Sequence, residues 1–284
     1  MPYTRTIARG GEDYGQTRWV AGQSILTYGV RIGIRTNEPQ LLDRLPEHFP
    51  PMWEPTSAPY VERLFTLKVG GAGLQKRGGW FHELFEDAER GARSRSLNIV
   101  LEDFERRVKM YVAEMTPRFV FVHAGVVGWR GQAIIIPGRS FSGKTSLVSE
   151  LVRAGATYYS DEYAVLDMQG RVHAYPQPLQ IRESGSHIQK KRRAEEIGGI
   201  TGTEPLPIGL VIVSRYKPDA RWRPARLTTG QAMLEMLANT VPARRKPEIV
   251  IPTLQKAISE AMILKGVRGE AEDAARLILK RFDP

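Results

Sequence analysis

An eight-residue segment near the middle of the chain has the residue types and the spacing of a phosphate-binding loop. Residues 138–145 read Gly-Arg-Ser-Phe-Ser-Gly-Lys-Thr and fit the pattern GxxxxGK[ST]. In this pattern the glycines let backbone N–H groups approach phosphate oxygens, the lysine neutralises their charge, and the final hydroxyl binds Mg²⁺. We therefore predict a nucleotide-binding site, and its residues are Gly138, Arg139, Ser140, Phe141, Ser142, Gly143, Lys144, Thr145 and Ser146.

The segments on either side of the motif predict the elements that such a loop needs. Residues 133–137 read Ala-Ile-Ile-Ile-Pro, a short apolar run typical of a buried strand. After the motif, four apolar residues between positions 147 and 152 recur with helical spacing, and Gly155 is a natural end for that helix. A strand, a glycine-rich loop and a helix in this order place bound phosphates at the positive amino-terminal end of the helix.

An enzyme with this loop also needs a carboxylate near the end of a neighbouring strand, to hold Mg²⁺ or to activate the attacking group. Asp161 and Glu162 follow a short strand-like segment, whereas Asp167 ends an apolar run. Residues 167–171 also fit a tight turn between two strands, which favours a turn role for Asp167. We therefore favour Asp161 over Asp167, and the predicted metal ligands are Thr145, Asp161 and Glu162.

The composition predicts a folded protein and excludes several classes of chemistry. Of the 284 residues, 42% are hydrophobic and 25% are charged, which is the balance of a globular chain. Cys is absent, which excludes disulfides, cysteine-ligated zinc, iron–sulfur clusters and thiol catalysis. The longest apolar stretches are far shorter than the roughly 20 residues that span a bilayer, and the amino terminus lacks an apolar signal core. We expect a cytoplasmic protein with no membrane partner.

The formal net charge of +10 is compatible with nucleic acid, phosphate-bearing ligands or an acidic partner. Basic clusters occur at residues 190–193, 221–226 and 244–246, and none is interleaved with aromatic residues in an RNA-binding pattern. Only the charge favours a nucleic-acid-associated ATPase, so we do not expect nucleic acid as a partner. A homo-oligomer is compatible with the sequence.

We predict two domains that meet at Thr116 and Pro117: an amino-terminal accessory α+β domain over residues 1–116, and an α/β domain with the motif over residues 117–284. In the first domain, the patterns predict strands at 24–35 and 60–69, helices at 38–45 and 97–114, and a proline-rich loop at 46–59. In the second, they predict a strand at 208–214 and helices at 228–237, 254–264 and 270–282, the first of them capped by Thr228.

The residues around the motif resemble the HPr kinase/phosphorylase family, whose carboxy-terminal catalytic domain is a phosphate-loop fold related to phosphoenolpyruvate carboxykinase. His123 lies in a strand similar to the family's His-Gly-containing strand, fifteen residues before Gly138. Asp161 and Glu162 stand where the family has paired acidic residues. Residues 179–183, Leu-Gln-Ile-Arg-Glu, are similar to the family's Leu-Glu-Ile-Arg-Gly signature. The resemblance implies this α/β fold for the second domain.

The resemblance covers about residues 119–185 and, more weakly, the chain on to residue 240. It implies an ATP- and Mg²⁺-dependent kinase that transfers the γ-phosphate to a serine or threonine hydroxyl of a protein or peptide acceptor. By position, Asp161 would be the general base and His123 would tune that carboxylate. Lys144 would bind the phosphates, and Arg182 would stabilise the transferred charge or hold the acceptor. From the residues alone, we favour a functional role for His123 over that of a core residue, whereas Arg182 could equally be a surface ion-pair residue.

The chain departs from the family pattern at three positions. Phe141 stands where related loops usually have glycine, Gln180 replaces the glutamate of the signature, and Glu183 replaces its glycine. The loss of a carboxylate that helps to hold metal argues against the reverse phosphorylase reaction. We therefore expect a divergent relative whose acceptor need not be HPr. Gln180 also favours the alternative of a nucleotide-binding regulatory or maturation partner without kinase turnover, whereas Asp161 favours an enzyme.

Overall fold

The chain divides into two compact units, Met1–Pro117 and Arg118–Pro284. A computed structural model describes residues 19–71, 80–138, 142–182 and 189–282, except that the side chains of residues 182 and 189 are not described. Within these ranges the fold is mixed α/β, and no helix is both long enough and apolar enough to cross a bilayer. The accessory role of the first unit stays a prediction.

The first unit contains a six-stranded sheet and one long helix. The strand order is β3-β1-β2-β4-β5-β6, and the helix α1 packs against β5 and β6. Its apolar stripe is buried, and Phe104 makes an edge-to-face contact with Phe65 of the sheet, with ring centroids 5.5 Å apart. The elements are β1 Ala21–Thr27, β2 Val30–Thr36, a 3₁₀ helix Pro39–His48, β3 Glu54–Pro55, β4 Arg63–Lys68, β5 His82–Glu86, β6 Glu89–Ser94 and α1 Leu97–Met115.

The sequence patterns of this unit predicted only part of its structure. The helix over 97–114 is confirmed, but the single strand over 24–35 is wrong, because Tyr28 and Gly29 form a tight turn between β1 and β2. Both residues have positive φ, 48° and 80°, which the type I′ hairpin turn requires and which tyrosine rarely adopts. The helix over 38–45 is a 3₁₀ helix that extends into the predicted loop.

The second unit contains an eight-stranded sheet, of order β11-β10-β7-β8-β14-β16-β15 with β9 also paired to β7, and a separate hairpin β12-β13. Its elements are β7 Phe119–Trp129, β8 Gln132–Pro137, α2 Lys144–Arg153, β9 Thr157–Ser160, β10 Tyr163–Asp167, β11 Val172–His173, β12 Leu179–Arg182, β13 Gln189–Arg192, a 3₁₀ helix Ala194–Ile197, β14 Ile208–Tyr216, β15 Ala225–Arg226, α3 Thr229–Leu237, a 3₁₀ helix Val241–Arg244, α4 Pro247–Ile258, β16 Met262–Arg268 and α5 Ala271–Arg281.

Helices cover both faces of this sheet. One apolar core lies between the strands and the helices α3 and α4, and a second lies between the strands and the helices α2 and α5. Strands that are buried on both faces read as continuous apolar runs, which is why 133–137 and 208–214 show no alternation of polar and apolar residues.

The predicted helix over 254–264 is wrong in its second half. The helix α4 ends at Ile258, and the strand β16 begins at Met262 between β14 and β15. Ile263 belongs to the core under α3 and α4, whereas Leu264 belongs to the core under α2 and α5. Successive side chains that enter opposite cores indicate an extended chain, because side chains alternate between the two faces in a strand, whereas neighbours in a helix lie only about 100° apart. The Thr228 cap is confirmed: its hydroxyl oxygen accepts a hydrogen bond from the Gln231 backbone N–H.

Five strands of this sheet run in the same direction, and four of them, β8, β9, β14 and β16, end near one edge, whereas β10 continues beyond it. The strands β14 and β16 are parallel to β8. Because β7 is antiparallel to both β8 and β9, the strand β9 also runs in the direction of β8. In open α/β sheets the ligand sites lie outside the carboxyl ends of the strands. The candidate site is therefore expected at this edge. The last residues of the four strands that end there are Pro137, Ser160, Tyr216 and Arg268.

Candidate functional site

The motif 138–145 connects the carboxyl end of β8 to the amino end of α2. Gly138 follows β8, and its backbone N–H donates to the carbonyl oxygen of His123 on the neighbouring β7, at 3.1 Å. Gly143 is the residue before the first turn of α2 and has a φ of +84°. The positive φ favours glycine, and a Cβ at this position would lie 2.5 Å from Nη2 of Arg268 and would displace that guanidinium. The predicted site residues Arg139, Ser140 and Phe141 lie outside the described residues.

A second glycine sets the distance between α2 and the sheet. A Cβ on Gly125 of β7 would lie 2.5 Å from Cγ2 of Val148 on α2, which leaves no room for any side chain. The close approach buries Lys144, the first residue of α2, whereas Ser146 on the outer side of the helix is exposed. Thr145 keeps partial exposure between them.

Asp161 and Glu162 lie at a break between two strands on one edge of β7. The strand β9 pairs with Val126–Gly128 and the strand β10 pairs with Phe119–His123, so the two acidic residues occupy the bend between them. The buried hydroxyl oxygen of Ser160 accepts hydrogen bonds from the backbone N–H groups of Glu162 and Tyr163, at 3.1 and 3.0 Å. This side-chain turn fixes the bend from which the acidic side chains project.

Asp161 contacts the first turn of α2. The Thr145 hydroxyl donates to Oδ2 of Asp161 at 3.1 Å, which brings together two of the predicted metal ligands. On the other carboxylate oxygen, the Tyr158 hydroxyl lies 3.3 Å from Oδ1 and 2.6 Å from the carbonyl oxygen of Gln177. The carboxylate is thereby held between α2 and β9.

The surroundings of Asp161 change its acidity. Burial raises the pKa of this carboxyl to about 6, and the neighbouring charge of Glu162 adds to the rise. Hydrogen bonds from Thr145 and Tyr158 and the charge of Lys144 oppose it. A carboxylate with this pKa is ionised at neutral pH and is a better proton acceptor than an ordinary aspartate.

Lys144 is one of two buried cations described in the site, the other being Arg268. The exposed fraction of Lys144 is 9%, and burial lowers its pKa below the ordinary value, while the charges of Asp161 and Glu162 act in the opposite direction. A buried ammonium group at the start of a helix is a site for an anion, because desolvation strengthens its attraction to negative charge.

His123 lies beside this cluster and is stacked on Tyr163, with ring centroids 4.7 Å apart and an angle of 33° between the rings. Burial and the charge of Lys144 lower the pKa of His123, while Glu162 raises it. The imidazole is therefore neutral at pH 7. The charges that shift its pKa most are those of Lys144 and Glu162 rather than that of Asp161, so the implied tuning of Asp161 by His123 stays a prediction.

Asp167, the alternative carboxylate, lies at the far end of β10 in the turn that leads to β11. Its side chain accepts hydrogen bonds from the backbone N–H groups of Gln169 and Arg171, both at 2.9 Å, and pairs with Nε2 of His173 at 2.8 Å. These side-chain partners lie in the turn and in β11, away from the motif, and their hydrogen bonds lower the pKa of Asp167. The structure brings Asp161, and not Asp167, to the motif.

The segment that is similar to the family signature forms the strand β12. The backbone of Arg182 pairs with Gln189 of β13, and Gln180 is exposed opposite Lys191. The side chain of Arg182 and the whole of Glu183 lie outside what is described. The predicted charge-stabilising role of Arg182 therefore stays a prediction.

Two residues of the site, Tyr158 and Arg268, have no functional signal in the sequence. Arg268 is 2% exposed, and its guanidinium donates to the carbonyl oxygen of Gly143 at 2.8 Å and to that of Gly269 at 3.0 Å. The sequence patterns place Arg268 between two predicted helices, 254–264 and 270–282, and give no sign that it ends a strand at the sheet edge. For Tyr158, the strand-like pattern of residues 157–160 gave its burial but no signal of its contact with Asp161.

Two buried polar atoms at the motif have no hydrogen-bond partner within the described part of the chain: the Ser142 hydroxyl oxygen and Nε of Arg268. Both can donate a hydrogen bond, and bound phosphate oxygens would accept one. In the described ranges no three His, Asp or Glu side chains are grouped so that they could hold a metal ion. Mg²⁺ usually takes one or two carboxylates and completes its shell with water and phosphate oxygens, so Thr145, Asp161 and Glu162 fit its requirements.

Comparisons with known proteins give little further information. No family model matches the chain, and no curated protein matches it. Among solved structures, the chain is similar to the HPr(Ser) kinase/phosphatase from Coxiella burnetii, with 13% sequence identity over 56% of this chain and 91% of that chain. The TM-score of this match is 0.32, which is too low to carry an argument about fold or activity.

Proposed function

We propose that the protein is an ATP-dependent kinase of the HPr kinase type, which transfers the γ-phosphate of ATP to a serine or threonine hydroxyl of a protein or peptide. The observation that carries the proposal is the contact between Thr145, at the end of the phosphate-loop motif, and Asp161, whose pKa is about 6. A metal-binding hydroxyl beside a carboxylate that can accept a proton is what phosphoryl transfer to a hydroxyl requires.

The site has oxygen ligands for Mg²⁺ and donors for the phosphates. Thr145, Asp161 and Glu162 would hold the metal, which when bound supplies positive charge to the phosphate oxygens. Lys144, the first residue of α2, would neutralise the negative charge of the same phosphate oxygens. The Ser142 hydroxyl and Arg268 would add hydrogen-bond donors at the loop, because their unpartnered atoms are buried there.

Asp161 acts as the general base in this proposal. As the acceptor hydroxyl oxygen forms its bond to the γ-phosphorus, the bond from that phosphorus to the β-phosphate oxygen breaks and ADP leaves. The hydroxyl proton moves to Asp161, which releases it to solvent after the product departs. In a loose phosphoryl transition state this proton moves late, so a base with a pKa near 6 is strong enough.

A paired substitution tests the assignment. We would incubate the protein with Mg²⁺, radiolabelled ATP and an array of serine- and threonine-containing peptides, and we would titrate each variant with Mg-ATP. Asp161→Asn should retain ATP binding and lose about 10²–10⁴-fold in transfer rate. Asp167→Asn removes a carboxylate of the same chain region that lies in a turn, and it should transfer phosphate at nearly the wild-type rate. A dead Asp167→Asn with an active Asp161→Asn would reverse the assignment.

A nucleotide-binding regulatory or maturation partner without turnover is the second candidate. It is favoured by Gln180, an exposed amide where the resemblance has a metal-binding carboxylate. The same experiment separates the two functions, because such a partner would bind Mg-ATP but label no peptide, and Asp161→Asn would leave its behaviour unchanged.

A further inference from the structure

The strands β14 and β16 flank the phosphate-loop motif on the side opposite Asp161. The strand β8 has β7 on one side, with β9 beyond it, and β14 followed by β16 on the other. Asp161 follows β9, so it marks one side of the motif. If Thr145 and Asp161 bind the γ-phosphate end of a nucleotide, the nucleoside must leave the loop on the opposite side, above the ends of β14 and β16.

An exposed tyrosine, Tyr216, lies at the end of β14. Tyr216, the last residue of β14, is 45% exposed, and its Cβ lies 4.0 Å from where a Cβ on Gly143 would be. Arg268 pairs with Tyr216 in the parallel ladder, and its guanidinium carbon lies over the ring, 5.5 Å from the ring centroid. The Tyr216 hydroxyl donates to Glu270 at 2.9 Å. The ring thus has Arg268 near one face and Glu270 at its tip, and the residue is exposed enough for a ligand to reach it.

We propose that Tyr216 is the platform on which the purine base of the bound nucleotide stacks, with Arg268 as the support that connects this platform to Gly143. This inference rests on the proposed function, because it takes the direction of the nucleotide from Thr145 and Asp161. A flat aromatic base gains from stacking on a tyrosine ring whose orientation is already fixed, since little side-chain entropy is lost on binding.

Binding of ATP and of inorganic tripolyphosphate, both with Mg²⁺, separates base contacts from phosphate contacts. In calorimetric titrations, Tyr216→Ala should weaken ATP binding by at least about fivefold, the lower end for one stacked base, and leave tripolyphosphate binding unchanged. Tyr216→Phe keeps the ring and should bind ATP nearly as well as the wild type. Tyr60→Ala is the matched control, because Tyr60 is an exposed tyrosine of the other unit with Arg31 over its ring.

The remaining outcomes contradict the inference in distinguishable ways. If Tyr216→Ala weakens both ligands equally, Tyr216 supports the loop and does not bind the base. If Tyr216→Ala weakens the binding of neither ligand, or if the wild type binds ATP no better than tripolyphosphate, the base does not stack on Tyr216. The assignment of the phosphate site is unaffected by that result. If the wild type binds neither ligand, the proposed function itself fails.

Discussion

The Thr145 hydroxyl and the Asp161 carboxylate lie 3.1 Å apart, although they belong to different elements of the sheet and its covering helix. Thr145 is in the first turn of α2, and Asp161 is in the bend between β9 and β10. Two features of the backbone produce this contact: Gly125 lets α2 approach β7, and Ser160 holds the bend. The burial that results from this packing is what raises the pKa of Asp161 to about 6.

Lys144 should determine nucleotide affinity. Truncation to alanine removes a buried positive charge from the phosphate loop, so we expect Lys144→Ala to bind Mg-ATP at least about tenfold more weakly in calorimetric titration. Lys280→Ala on α5 removes an exposed lysine of the same unit and should bind like the wild type. Equal affinities of Lys144→Ala and the wild type would disprove the assignment of the phosphate loop.

The rate of phosphate transfer should depend on the ionisation of Asp161. Since the general base must be deprotonated, kcat/KM for Mg-ATP, which reports the metal-free enzyme, should be level above about pH 7 and fall by about tenfold per pH unit well below the pKa of about 6. An ordinary aspartate would place this fall about two units lower. The residual activity of Asp161→Asn should not show this fall of kcat/KM at acid pH, which is the acid limb of the profile. A profile that keeps the limb in this variant would assign the titration to another group.

The two candidate carboxylates should affect stability in opposite directions. The folded pKa of Asp161 is raised, so its ionised form destabilises the fold, and this cost develops as the pH rises from about 4 to about 6. Asp161→Asn should therefore stabilise the unliganded protein at pH 8, by at most about 3 kcal/mol, and have little effect at pH 4.

Asp167 is the control for this experiment, because its pKa is lowered by its turn hydrogen bonds and by His173. Its ionised form stabilises the fold above the unfolded pKa, and that stabilisation is lost as the pH falls through the folded pKa. Asp167→Asn should lower the unfolding temperature at pH 8. Thermal unfolding of both variants at pH 8 and pH 4 checks the pair, and destabilisation by Asp161→Asn at pH 8 would contradict the electrostatic account.

The site could be predicted from sequence where its signals are local. The glycines, lysine and threonine of the motif lie within eight residues, and the helix that follows has a clear apolar stripe. Both features could therefore be predicted from the sequence. The contact between Arg268 and Gly143 joins residues 125 positions apart, and no sequence pattern specifies it. The predicted helix over 254–264 includes the first three residues of β16, because a short apolar run has no periodicity of its own and only burial on both faces decides its conformation.

Nucleic acid should bind weakly and should not stimulate ATP hydrolysis. The basic clusters at 190–193, 221–226 and 244–246 lie on the β12-β13 hairpin, before and in β15, and before α4, which are separate parts of the second unit. Arg192 also pairs with Glu196 at 3.1 Å, which reduces the local positive charge.

A gel-shift series over increasing salt should show only weak binding that disappears as salt rises, because counterion release is then the whole driving force. ATP hydrolysis measured with and without DNA or RNA should be the same. Strong stimulation by either polymer would favour a nucleic-acid-dependent ATPase over a kinase, since a kinase site has no reason to couple its turnover to a polyanion.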